Sequence, residues 1–177
     1  MANLVAVILA AGKGTRMRSK YPKVLHKVGG KPMLQHVIDA ASVAGCDEKV
    51  VIVGHEAELV EAMVGSQGKI ALQAEQLGTG HAVMQTAEAL KGFTGTALIL
   101  CGDTPLLEGE ELKKFCEAHK ASGAAATVLT AIMDDPFGYG RIVRDANGNV
   151  QAIVEQKDAT EAQKAIKEIN TGIYCME

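Results

Sequence analysis

The chain has 177 residues, of which 47% are apolar and 22% charged. That composition describes one globular domain with a substantial core and excludes a disordered chain, and no apolar stretch approaches the roughly 20 residues of a membrane-spanning helix. The net charge of −3 hides an asymmetry: Lys13, Arg16, Arg18, Lys20, Lys23, Lys27 and Lys31 all precede the first acidic residue, Asp39. A basic segment on an otherwise acidic chain points to a local anion site and away from a nucleic-acid footprint.

The four cysteines, Cys46, Cys101, Cys116 and Cys175, have no CxxC spacing. With no signal-peptide pattern at the N-terminus, they read as reduced, mostly buried thiols of a cytoplasmic protein.

In chain order, the apolar run "LVAVIL" (4–9) predicts a strand buried on both faces. The glycine-rich basic stretch "AAGKGTRM" follows it. Pro32 suits a first helical turn, and Leu34, Val37, Ile38 and Ala41 carry the helical spacing, so a helix is expected over 32–44, ending at Gly45. A strand over 49–54, a helix over 56–64 and a strand over 69–73 come next. A helix should start near Thr79 and run to residue 90. A strand over 96–103 ends in Asp103, and a helix over 109–121 leads to a strand over 124–132. His119 falls in register with Leu112, Phe115 and Cys116 and is expected to be a packed helix residue. This alternation predicts an α/β domain with a mostly parallel sheet. Beyond residue 134 the pattern changes to two apolar runs around "ANGN", a hairpin signal. Residues 158–168 look helical and "TGIYCM" begins a last strand. The sequence halts at Glu177 directly after it, as expected of a domain that continues.

The stretch 10–17 follows the carboxyl end of a strand, where open α/β sheets bind ligands. It fits neither standard phosphate motif: Gly12 and Gly14 match GxGxxG but the third glycine is Met17, and "GKGT" is not GxxxxGK[ST]. Its chemistry still suits phosphate. Glycines let backbone N–H groups approach an anion, and Lys13 and Arg16 add charge. The alternative is a tight surface turn with solvated basic side chains. Asp103 is either a ligand for a hard cation or a cap of the turn before Pro105. "QLGTG" (76–80) is either a base-edge site or a plain helix start with Thr79 as N-cap. By sequence alone Glu155 reads first as a solvated charge, and Asn170 reads equally as a turn residue. Arg141 and Lys157 are expected to be surface or ion-pair residues.

"LAAGKGTRM" followed by "YPKVL" resembles the signature of the sugar-phosphate nucleotidyltransferases. "QAEQLGTGHAV" (73–83), "CGDTPLL" (101–107), "GYGRIV" (138–143), "IVEQKDAT" (153–160) and "EINTGIY" (168–174) narrow the resemblance to the bacterial N-acetylglucosamine-1-phosphate uridyltransferases. The resemblance covers essentially the whole chain. It implies a Rossmann-like three-layer α/β/α nucleotidyltransferase domain over 1–177. It implies transfer of uridylyl from UTP to N-acetylglucosamine 1-phosphate, giving UDP-N-acetylglucosamine and pyrophosphate, as a supply of peptidoglycan and lipopolysaccharide precursors. By the same resemblance, Leu9, Ala10, Ala11, Gly12, Gly14 and Thr15 cradle the triphosphate, with Arg16 and Lys23 as catalytic cations. Gln73, Gly78 and Thr79 take uracil; Gly140, Glu155 and Asn170 take the sugar; Asp103 holds Mg²⁺. A second metal ligand, an asparagine, falls beyond Glu177 in that family. The family often carries a C-terminal acetyltransferase domain that forms trimers. Two alternatives stay open: a relative using CTP, GTP or dTTP or another sugar, and a nucleotide-binding module without turnover. No serine or cysteine has a recognisable base partner and the histidines show no metal spacing, so neither a covalent intermediate nor a histidine metal site is expected.

Overall fold

A computed structural model describes residues 4–177, apart from the side chain of Arg16. Its two compact units are Met1–Thr127 with Tyr174–Glu177, and Val128–Ile173.

In the first unit, β1 (Leu4–Leu9) lies at the centre, because a strand apolar on both faces must be covered on both. Two very short strands, β2 (Lys27–Val28) and β3 (Lys31–Pro32), form a separate antiparallel ribbon. It turns through Gly29 and Gly30, both at positive φ. A two-residue Gly-Gly turn of this hand is a hairpin signal that the sequence reading passed over. The helix α1 (Met33–Val43) then leads to β4 (Glu48–Val53), which pairs parallel to β1. Helix α2 (Ala57–Val64) leads to β5 (Lys69–Leu72), parallel to β4. Helix α3 (Thr79–Met84) carries the chain over to β6 (Thr96–Cys101), parallel to β1 on its other side. The strand order β5-β4-β1-β6 therefore reverses direction at β1. The parallel strands all end at one edge, and such a reversal is where open α/β sheets leave a crevice.

One face of this sheet carries Val5, Val7, Val50, Ile52, Ala71 and Ile99, packed with Ala82 of α3 and with Leu90 and Phe93 beyond it. Strand alternation puts Ala6, Ile8, Val51, Leu98 and Leu100 on the other face, all fully buried. Fully burying each larger side chain contributes about 1.5–3 kcal/mol. Helix α1 packs against α4 (Gly109–Ser122). A Cβ on Gly109 would stand 2.7 Å from the Ala40 carbonyl oxygen, so that contact requires glycine.

His119, on α4, is buried as expected, at 1% exposure. Its ring meets Thr127 Oγ1 at 2.7 Å through Nδ1 and Glu177 Oε1 at 3.1 Å through Nε2. The cysteines are free thiols; Cys116 and Cys175 stand Sγ to Sγ at 3.6 Å.

The second unit holds β7 (Ala126–Ile132) from Val128 onward, β8 (Arg141–Arg144), β9 (Val150–Val154), α5 (Glu161–Lys164) and most of β10 (Glu168–Met176). Strands β8 and β9 form the expected hairpin around "ANGN", with Asp145 Oδ1 accepting from the N–H groups of Asn147 and Asn149. The last residues of β10, Tyr174–Met176, belong to the first unit and run antiparallel to β6.

Three expectations are corrected. Regular helix from Thr79 stops at Met84, not residue 90. Thr86 Oγ1 donates to the Val83 carbonyl and the Gln85 amide to the His81 carbonyl, and the next N–H groups reach back only three residues. Side chains that take helix carbonyls compete with the regular ladder. The helix expected over 158–168 is the single turn α5, fixed by a capping box between Thr160 and Gln163, and β10 begins at Glu168, before Thr171. Arg141 is neither surface nor ion-paired. It is 2% exposed, and its guanidinium donates to Tyr139 O, Gln156 Oε1 and Lys164 O. Lys157 is exposed.

Candidate active site

The loop after β1 turns through Gly14, at φ +57, into a 3-10 turn over Thr15–Met17. A Cβ on Gly14 would lie 2.7 Å from Lys23 Cβ, so glycine is required twice, for its backbone and for the closeness of Lys23. Gly12 has open space where a side chain would go. Lys23 begins a second 3-10 turn, Lys23–Leu25, anchored by buried Val24 and Leu25. At the end of β6, a Cβ on Gly102 would meet the Leu9 carbonyl oxygen at 2.9 Å. That closeness brings the loop bearing Asp103 beside the loop after β1.

Lys23 Nζ donates to Asp103 Oδ2 at 2.5 Å, both side chains being 32% exposed. An ion pair this accessible contributes about 1 kcal/mol or less to stability. Stability therefore does not account for two opposite charges set together in a cavity. The turn after β6 is held separately by Thr104, whose Oγ1 donates to the Cys101 carbonyl at 2.6 Å. Asp103 is thus ion-paired with Lys23 while Thr104 ties the turn.

Facing this pair, Gln73 follows β5 with its N–H on the Val53 carbonyl at 2.8 Å. Gly54 is tightly packed: a Cβ there would meet Ala11 Cβ at 3.0 Å and the Gln73 carbonyl oxygen at 3.1 Å. Gly78, at φ +104, is the N-cap of α3, and Thr79 is its first helical residue. The expectation of Thr79 as cap is corrected: that backbone angle favours glycine over any side chain.

These groups line one cavity of about 610 Å³. Leu9, Ala11, Gly12, Gly14, Thr15 and Lys23 line it from β1 and the segment after it, Gln73, Gly78 and Thr79 from the segment between β5 and α3, and Asp103 from the loop after β6. Ala10 is buried, with its N–H on the Ile52 carbonyl. The side chain of Arg16 lies outside the described residues. Met17, Val24, Gln76, Ala82 and Cys101 also line the cavity and were not singled out in the sequence. Their types, mostly apolar, carry no chemical signal; only the fold shows where they face. Burial, and next the charge of Asp103, push the Cys101 thiol up to about 11, so it stays protonated at neutral pH and is no nucleophile.

In the second unit, Gly140, Glu155 and Asn170 come together. A Cβ on Gly140 would stand 3.1 Å from Glu155 Oε1, and the Asn170 N–H donates to the Gly140 carbonyl at 2.8 Å. Asn170 lies in β10, its Oδ1 accepting from the Gly172 N–H at 3.0 Å.

The model of the nucleotidyl transferase family matches residues 5–177. The chain belongs to the nucleotidyl transferase family. Proteins named "Bifunctional protein GlmU" from Bacillus cereus (strain AH187) and Bacillus anthracis (strain CDC 684 / NRRL 3495) are 58% identical over all 177 residues. The chain spans 39% of the length of these relatives. Among solved structures, a Bacillus anthracis protein described as a glucose-1-phosphate thymidylyltransferase, crystallised with sucrose, superposes with a TM-score of 0.84 at 22% identity, covering 98% of this chain and 71% of its own. HddC from Yersinia pseudotuberculosis gives 0.75 at 22% identity, covering 100% of this chain and 77% of its own. Both show the fold. For a nucleotidyl transferase, a glycine-lined loop, a cation and a carboxylate around one cavity provide the donors and charges that a triphosphate needs.

Metal-dependence is general in nucleotidyl transferases. Among the described residues, no group of three or more His, Cys, Asp or Glu side chains is placed to hold a metal ion. The donor set at Asp103 still fits a small hard dication: Mg²⁺ is commonly bound through one or two carboxylates, water and substrate phosphates, without a cage of protein ligands. No helix among the described residues is long and apolar enough to cross a membrane.

Proposed function

We propose that this nucleotidyl transferase domain transfers uridylyl from UTP to N-acetylglucosamine 1-phosphate, in the cytoplasm, with Mg²⁺ as cofactor. The observation that supports this best is the single cavity that joins the loop after β1, Lys23, Asp103 and the 73–79 segment. The 58% identity to proteins named GlmU directs the choice of nucleotide and sugar.

A phosphate oxygen of the sugar phosphate attacks the α-phosphorus of UTP. The bond from that phosphorus to the β-phosphate bridging oxygen breaks, and pyrophosphate leaves with the electron pair. The nucleophile is already an anion at pH 7, so no general base is needed, in keeping with a cavity that offers a cation and a carboxylate but no activated thiol. Catalysis is positioning and charge neutralisation. Backbone N–H groups around Gly12 and Gly14 cradle the triphosphate. Lys23 stabilises the charge that develops at the α-phosphate, and Arg16 is assigned to the triphosphate. Asp103 holds Mg²⁺, which when bound neutralises phosphate oxygens. Gln73, Gly78 and Thr79 receive uracil, and Gly140, Glu155 and Asn170 are assigned to the sugar.

The test is pyrophosphate release with N-acetylglucosamine 1-phosphate, Mg²⁺ and each of UTP, CTP, GTP and dTTP. Release with UTP far above the others supports the proposal; release led by another nucleotide, or by none, contradicts it.

A further inference from the structure

Gln73 is 3% exposed, yet it lines the cavity. Its Nε2 donates to the Gly78 carbonyl oxygen at 3.1 Å and lies 3.1 Å from His81 Nδ1. The Gly78 oxygen can only accept, so it fixes which end of the Gln73 amide is the NH₂ group. The second amide hydrogen then points at His81 Nδ1. His81 sits in α3 beside half-buried Gln85, whose Nε2 donates to the His81 carbonyl at 3.0 Å and lies 3.2 Å from His81 Nε2. Two amide donors thus face one neutral ring that has a single acceptor nitrogen. Gln85 already has the carbonyl and is open to water, whereas the second hydrogen of buried Gln73 has only Nδ1 to turn to, so the ring lone pair is assigned to Nδ1 and the proton to Nε2. With both hydrogens used, all that Gln73 can offer a ligand is its carbonyl Oε1.

We propose that His81 is a positioning residue for nucleotide choice: by taking the second amide hydrogen of Gln73 it presents only Oε1 to the base, and so selects a pyrimidine with an N–H at ring position 3. Uracil carries that N–H. Cytosine has a lone pair there, and two acceptors face to face repel. This rests on the uridylyl-transfer reading, and sharpens it from a general base-edge contact to an oriented acceptor held by a neighbouring ring. A buried polar group that faces the wrong partner has lost its water and gains no hydrogen bond in return, which is why such sites discriminate strongly.

The test compares the full-length protein with His81→Leu, His81→Asn and His81→Gln variants in steady state with UTP and with CTP. Asn can set its Oδ1 where Nδ1 stood, whereas Leu has no acceptor and the Gln carbonyl reaches the Nε2 position. His81→Leu should raise the KM for UTP about tenfold with kcat changed less than about threefold, and lower the UTP-over-CTP ratio of kcat/KM at least about tenfold. His81→Asn should restore both to within about threefold of wild type. If His81→Leu does not fold, His81→Gln carries the same expectation. An unchanged ratio in the variants without the Nδ1 acceptor, or an Asn variant no better than they are, overturns the inference alone. Wild-type protein with no preference for UTP overturns the uridylyl-transfer reading, and this inference with it.

Discussion

Lys23 and Asp103 are 80 residues apart in the chain and in direct contact in the cavity. Each is an ordinary residue in its local sequence, and only the loop geometry brings them together. Removing one donor aimed at developing charge raises a barrier by about 2.7–4 kcal/mol. Lys23→Ala should therefore lower kcat by about 10²–10³ in a pyrophosphate-release assay. Turnover at the wild-type rate would remove Lys23 from the mechanism. Gly14→Ala acts one step back. A left-handed backbone angle costs an ordinary residue about 1–2 kcal/mol, and the new methyl must displace Lys23. Chemical denaturation should show a loss of about that size or more, with a fall in kcat. A variant as active and as stable as wild type would show that the approach of this loop to Lys23 is dispensable.

At the scale of elements, segments with a clear period were legible, as were the short strand β5 and the β8–β9 hairpin with its turn signal, while the shortest helices were not. β1, α1, β4, α2, β6 and α4 sit where their apolar spacing placed them, to within a residue or two, because each buries a face large enough to leave a pattern. α3 and α5 failed for the opposite reason. They are single turns or little more, decided by Thr86, Gln85 and the Thr160–Gln163 box, side chains whose hydrogen bonds override helical periodicity. Arg141 was misread because a charge in "GRIV" looks solvated until three acceptors converge on it. Arg141→Met would take a charged donor from the Tyr139 and Lys164 carbonyls and from Gln156 Oε1, which keeps the Gly138 N–H at 3.2 Å. Hydrogen bonds from a charged donor contribute about 1.5–3 kcal/mol each, so urea unfolding should show a destabilisation of at least about 2 kcal/mol. A loss under about 0.5 kcal/mol would mean that water replaces the guanidinium.

For the whole molecule, the carboxylates set the response to acid. The Arg144 hydrogen bond holds Glu168 below its ordinary 4.5, and the Asn149 side chain does the same for Asp145 below 3.8. At Asp39 burial pushes upward, but hydrogen bonds from Lys31 and Gln35 outweigh it and leave the carboxyl below 3.8. The unfolded chain then binds more protons than the folded one as pH falls through this range. Stability from these groups is complete above their unfolded values and is lost as pH drops through the depressed folded values. The urea midpoint should be flat from about pH 7 to pH 5 and fall below about pH 4.5. A midpoint that rises on acidification would contradict the assignment.

Which residues gather around the cavity was legible where glycine, charge and strand end coincide, as at Gly12, Gly14 and Asp103, and from the family resemblance at Lys23. The part made of apolar lining, such as Val24 and Ala82, and of second-rank polar support, such as His81, was not, because such residue types mean nothing until the fold shows what they face.

The most direct measurement of the central claim follows the label of UTP through a turnover with N-acetylglucosamine 1-phosphate. UTP labelled at the α-phosphate should place its label in the sugar nucleotide, while UTP labelled at the γ-phosphate should place it in pyrophosphate. A γ-label found on the sugar product, or an α-label that stays with free nucleotide, would mean that this cavity does not perform nucleotidyl transfer.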